Sequence, residues 1–217
     1  SYFVELNRSY HSIDGNCYST NWNGEVITSD MVTTTHMYKN KVRASHSIFK
    51  FEAIDEKSKK AWKLYDYPAI AGTYQQMVLG KGVSLSTDRK LQFLNGFYGK
   101  RKQFRMFICF FTNQSVDVAF KQRSYWEGAN KNELLVCVGI DKNGNFKWCK
   151  SFSWMDKPEL EVKVHEWFNQ FHGKPIDLDK FADWMPAQIE KHWNRKHFKD
   201  FEYLNVEISQ FQLMWIL

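Results

Sequence analysis

Asp141 closes an apolar run, and Glu161-Val162-Lys163 follows twenty positions later. Two carboxylates can share a divalent cation while a nearby lysine helps to activate water for attack on a phosphate ester. The competing reading is a chance triplet, because 25% of the chain is charged. Pro158, just ahead of the triplet, also suits a helix start better than the strand such chemistry needs. A second candidate is basic: Arg195, Lys196 and Lys199 stand beside Trp193 and Phe198. Cations interleaved with aromatic rings can grip a nucleic-acid backbone and stack on its bases, whereas the plainer reading is a solvated basic helix face. His192 and His197 lie five apart on the same expected helix and so point to different sides of it. Cys17, Cys109, Cys137 and Cys149 form no CxxC pair, which argues against a zinc site. Cys109 and Cys137 sit in apolar runs and read as small buried hydrophobes. No GxSxG, Walker, HExxH or GxGxxG motif occurs.

The elements that must position these residues follow from composition and periodicity. The 217 residues are 43% hydrophobic and 17% aromatic, with 9 Trp and 18 Phe. Aromatic side chains bury large areas, so they build a sizeable core and leave some surplus for a partner surface. The net charge of +6 favours solubility and is compatible with an anionic partner. No run of 18 apolar residues is present, so no transmembrane helix is expected. The free cysteines fit a reducing, cytoplasmic setting, and the chain opens on Ser1 rather than Met, as a segment of a longer protein would.

Residues 1–67 alternate aromatic and polar residues between Asn-Gly turns, the pattern of short twisted strands, with "SIFKFEAI" alternating again. "DEKSKKAWKLYD" then reads as a short helix capped by Asp55 and ended by Pro68. Residues 68–103 form a connection in which Ser86 or Thr87 caps a short helix carrying Leu91 and Leu94, stopped at Gly96 or Gly99. From 104 onward lies an α/β core. "FRMFICFFTN" is a strand covered on both faces. "SVDVAFKQRSYWEGA" is a helix capped by Ser115, with Val118, Phe120 and Tyr125 or Trp126 inward. "ELLVCVGI" is a second buried strand, and Asn143-Gly144 turns it into a third, "NFKWCKSFSW". Helices follow from Pro158 and from Asp177, the latter bent or restarted at Pro186, and "FEYLNVEISQFQLMWIL" closes as a strand. The expected class is α/β or α+β, a single domain over 1–217. It is built on a mixed sheet with a central strand–helix–strand–hairpin unit flanked by helices.

That unit, over residues 104–168, resembles the TPM domain. The resemblance rests on the loop "EGANKNE", the strand "LLVCVGI", the turn "DKNGN" and the strand "FKWCKSFSW". "SFSW" stands where that family usually has Gly-Tyr-Gly. TPM domains are associated with phosphatase activity, divalent-cation binding or protein assembly at membranes. The resemblance implies Glu127, Glu133 and Asp141 as ligands for magnesium or calcium, hard cations that oxygen donors suit. It also implies a loop surface of Asn130, Asn132 and Glu133 for a ligand or partner, to which the neighbouring aromatic Trp126 adds a candidate contact. The alternative at the loop is that Gly128 and the asparagines only turn the chain. Three functions follow as expectations. The first is a non-catalytic protein-interaction or assembly domain within a membrane-proximal parent, needing no cofactor. The second is a metal-dependent phosphatase-like hydrolase. The third is a nucleic-acid binder using Arg195, Lys196 and Lys199. The Asp141, Glu161, Lys163 outline, which is that of the PD-(D/E)xK nucleases, is a further alternative.

Overall fold

A nearly unbroken apolar run can be a strand only if both of its faces are covered, and two such runs lie side by side at the centre of this fold. The computed structural model describes residues 5–12, 15–22, 33–38, 51–71, 74–130, 132–155 and 157–195. In chain order, β1 (Glu5–Ser12), β2 (Gly15–Trp22) and β3 (Thr33–Tyr38) pair as an antiparallel sheet. The short strands expected from the alternating first segment are therefore present. Residues 51–55 carry no regular structure, so the end of the "SIFKFEAI" alternation is not a strand.

Helix α1 (Glu56–Trp62) starts at the expected cap, where the Asp55 carboxylate accepts the Ser58 N–H at 2.7 Å. It ends at Lys63, in left-handed geometry, well before Pro68. A two-residue pair, β4 (Ile70–Ala71) and β5 (Tyr74–Gln75), precedes the main sheet.

The main sheet has the order β6-β7-β8-β9. Strands β6 (Val78–Leu79), β7 (Arg105–Thr112) and β8 (Glu133–Ile140) are parallel, and β9 (Phe146–Phe152) is antiparallel to β8. Helix α2 (Leu85–Lys102) links β6 to β7, and α3 (Asp117–Tyr125) links β7 to β8. Helices α4 (Glu159–Asn169) and α5 (Leu178–His192) follow β9. This is the mixed, helix-flanked α/β sheet that the sequence pattern implies.

Along β7 the side chains alternate between two aromatic layers. Phe107 and Phe111 meet Tyr67 and Tyr65, each at 5.3 Å between ring centroids, and Trp126 lies 5.6 Å from Phe107. On the opposite face Phe146 of β9 stacks on Phe168 of α4 at 6.0 Å, and Phe168 meets Phe181 of α5 at 5.0 Å. The excess of aromatic residues thus fills both layers.

Several local expectations are corrected by the backbone. Helix α2 is capped by Ser84, not Ser86 or Thr87, with the Thr87 N–H donating to Ser84 Oγ at 3.1 Å. It runs through Gly96 and Gly99 and stops only at Gln103. Burial of Leu91, Leu94 and Tyr98 outweighs the roughly 1 kcal/mol that each interior glycine costs. Ser115 does not cap α3: its hydroxyl donates to Asp117 Oδ2, and the cap position falls on Val116 with no side-chain bond. Phe120 points outward, 46% exposed, while Val118 and Trp126 are buried as expected. Helix α5 runs continuously through Pro186. The strand expected over 201–217 lies outside the described residues.

The β8–β9 turn is a compact structural unit. Gly144 is in left-handed geometry, and the Asp141 carboxylate accepts the N–H groups of Asn143 and Asn145 at 2.8 and 2.9 Å. Trp148 pairs with Gly139 and lies directly over it, and the register shifts just beyond, between Gly139 and Ile140.

Candidate functional site

The 125–133 loop joins α3 to the amino end of β8. Ligand loops in open α/β sheets sit at the carboxyl ends of the strands, so this loop lies on the opposite edge. Its backbone is unusual: Glu127, Gly128 and Ala129 are all left-handed, with φ of 50°, 83° and 62°. For a non-glycine residue that geometry costs about 1–2 kcal/mol, and the surroundings hold it in place. A Cβ on Gly128 would come within 2.5 Å of the Phe51 ring, and Trp154 Nε1 donates to the Gly128 carbonyl at 2.9 Å.

The residues expected at this surface are mostly inside. Trp126, Asn130, Asn132 and Glu133 are 4%, 1%, 1% and 0% exposed. Trp126 packs on Phe107 and donates its indole N–H to the Tyr65 carbonyl at 2.8 Å. The Glu133 carboxylate accepts three hydrogen bonds: from the Tyr67 hydroxyl, from Asn130 Nδ2 at 2.7 Å and from the Asn130 N–H at 2.9 Å. Three of its roughly four acceptor sites are spent on fixing the corner. Burial of this kind leaves the four residues no face to offer a protein partner.

Nor do the three expected metal ligands converge. Glu127 is exposed, Glu133 is sealed, and Asp141 lies beyond the far end of β8. Eight strand positions separate Glu133 from Asp141, about 26 Å at the usual rise, so one ion cannot bridge them. The hydrogen bonds from the Asn145 and Asn143 backbone hold the Asp141 carboxyl below its ordinary range. Among the described residues no three His, Cys, Asp or Glu side chains are grouped to hold a metal. The Glu161-Val162-Lys163 triplet lies on α4, as Pro158 suggested, with Lys163 paired to Glu166 at 2.7 Å.

Of the basic candidates, Arg195 is part-buried and bonded to Gln103 at the end of α2. Lys196 and Lys199 lie outside the described residues. Cys109 and Cys137 are fully buried free thiols, and burial pushes both well above the ordinary thiol value. No helix among the described residues is long and apolar enough to cross a membrane.

Two arrangements on the structure escaped the residue patterns. At the carboxyl edge of the sheet a cleft of about 350 Å³ lies between the β6–α2 loop, with Lys81 and Gly82, and the start of α5, with Asp177 and Asp179. The Lys81 ammonium sits 5.1 Å from the centre of the Phe110 ring, and burial lowers its proton affinity. Asp177 caps α5 and Asp179 binds Lys90 at 2.6 Å. Carboxylates therefore hold the places an anion would take.

The second is the outer face of α2. Leu91, Leu94 and Tyr98 are buried on one side, yet Leu85, Phe93 and Phe97 on the other are 65%, 72% and 39% exposed. The Phe93 and Phe97 rings stack at 5.7 Å, and the Arg101 guanidinium lies 4.8 Å from the Phe97 ring centre. Reading the helix through both glycines would have revealed these two apolar faces, since positions 85, 89, 93, 97 and 101 form one i+4 row. Comparison with known proteins adds no relative: no family model, no curated protein and no solved structure matches this chain.

Proposed function

We propose that this chain is a non-catalytic α/β protein-interaction domain whose contact surface is the outward row of α2 rather than the 125–133 loop. One observation carries the reading: Phe93, 72% exposed, stacks on the partly exposed Phe97 on a helix whose opposite face is already in the core. Relative to full burial, Phe93 forgoes most of about 1.5–3 kcal/mol and Phe97, 39% exposed, a smaller part, a gain that a partner recovers. Contiguous exposed apolar surface on a charged background marks interaction sites, and aromatic side chains anchor interfaces.

The test is affinity capture from the native source with the wild-type chain and a Phe93→Ala/Phe97→Ala variant. Near-UV circular dichroism confirms that the core is intact. Proteins retained by the wild type and lost by the variant support the reading. Identical retention by both removes it.

A further inference from the structure

The charges flanking the phenylalanine pair say what kind of partner it fits. The α2 row runs Leu85, Arg89, Phe93, Phe97, Arg101, so an arginine stands one turn before and one turn after the two rings. Arg89 and Arg101 are separated by about 18 Å along the axis at the helical rise. Arg89 has no ion pair among the described residues, and Arg101, paired with Glu190 at 3.5 Å and lying over the Phe97 ring, is still half exposed. Building on the interaction surface above, we infer that the occupant is an amphipathic helix with an acidic–apolar–apolar–acidic row at the same i+4 spacing. Ridges of i+4 rows pack into the grooves of a facing helix. Such a partner would bury its two apolar side chains on Phe93 and Phe97 and bring a carboxylate to each arginine.

Two other occupants fit less well. A second copy of this chain, docked by two-fold symmetry through the same row, would set Arg89 against Arg101 of its mate at both ends. Like charges opposed across an interface disfavour it. Single-stranded nucleic acid needs ring faces open for stacking. Here the two rings, 15° apart, turn one face to each other, and the Arg101 guanidinium lies over the Phe97 ring, which reduces the surface open to bases.

The experiment uses the full chain and two synthetic helical peptides of about six turns, labelled for fluorescence anisotropy. One carries Glu, Leu, Leu, Glu in one i+4 row; the other carries Lys, Leu, Leu, Lys. The acidic peptide is expected to bind at least tenfold more tightly. An Arg89→Glu/Arg101→Glu variant should reverse that preference, and Phe93→Ala/Phe97→Ala should abolish binding of both. Equal binding of the two peptides, or an unchanged preference in the Arg89→Glu/Arg101→Glu variant, overturns the acidic class. So does tighter, Phe93-dependent binding of a labelled oligothymidine. A concentration-dependent dimer lost in Phe93→Ala overturns it in favour of self-association. If neither peptide binds while the native capture still depends on Phe93 and Phe97, the interaction domain stands and the acidic helix is wrong. If that capture is also insensitive to both residues, the two readings fall together.

Discussion

Replacing Glu133 by alanine separates a structural corner from a functional one. The carboxylate is fully buried and accepts from three donors, the Tyr67 hydroxyl and the backbone and side-chain N–H groups of Asn130. Each buried donor left unmatched costs about 1–3 kcal/mol. Tyr67 is part-buried and can turn towards water, so the three together give about 2–5 kcal/mol for Glu133→Ala. That is a large share of the roughly 5–15 kcal/mol that holds a domain folded. Glu133→Gln keeps the volume and one acceptor but aims an NH₂ group at a donor, and about half the loss is expected, ~1–2 kcal/mol. Urea unfolding read by tryptophan fluorescence gives both values, provided that the denaturant slope is unchanged. A loss below about 1 kcal/mol for the alanine variant, or any gain in stability, would refute the reasoning. A gain in particular would mean that the carboxylate is held at a cost for binding, and would restore the loop as a site.

Other expectations follow from the same contacts. A Cβ at Gly139 would meet the Trp148 ring at 2.1 Å, so Gly139→Ala should cost about 1–3 kcal/mol through overpacking and shift the tryptophan emission. His165 Nε2 accepts the Ser151 N–H at 2.9 Å, which fixes it as the unprotonated nitrogen, with Ser151 Oγ also at 2.9 Å. Burial first, and Lys150 second, hold the imidazole below its ordinary value of 6.5. Its contribution to stability is complete above 6.5 and declines as pH falls towards the folded value, because the unfolded chain takes up the proton first. Urea midpoints measured from pH 7.5 to 5 should show that slope, and His165→Gln should flatten it. Phe93→Asp lies on the outer face of α2 and should change stability by no more than about 0.5 kcal/mol; a larger loss in thermal unfolding would show that the ring is not a surface group.

The parts of the fold that could be read from residues were those with one dominant local cause. Phe107 to Phe111 and Leu134 to Val138 are apolar without interruption, Asn143-Gly144 sets a turn, and Asp55 caps a helix through its own side chain. Gly96 and Gly99 misled because their local cost is outweighed by tertiary burial of Leu91, Leu94 and Tyr98, which no local pattern reports. The 125–133 loop misled for a different reason. Glu, Asn and Lys in a row look solvated, yet Asn130 and Glu133 satisfy one another and Tyr67, drawn from 63 and 66 positions away, so the polar segment turns inward. Which edge of the sheet a loop occupies depends on strand direction, and that became visible only when β7 and β8 paired in parallel.

At both margins of the main sheet, side chains and loop backbone take hydrogen bonds that a neighbouring strand would otherwise make. Next to the two-residue β6, the Asn95 amide accepts the Met106 N–H at 3.0 Å and donates to its carbonyl at 2.9 Å. On β9, His165 takes the Ser151 N–H, while the Phe146 N–H donates to the Lys174 carbonyl and its carbonyl accepts from Gly173. Among the described residues these contacts occupy part of each margin and so reduce the template for recruiting another chain by backbone pairing. Fibrous growth there would have to wait for these contacts to come loose, so heat or acid that frees Asn95 or His165 should set the onset of clumping.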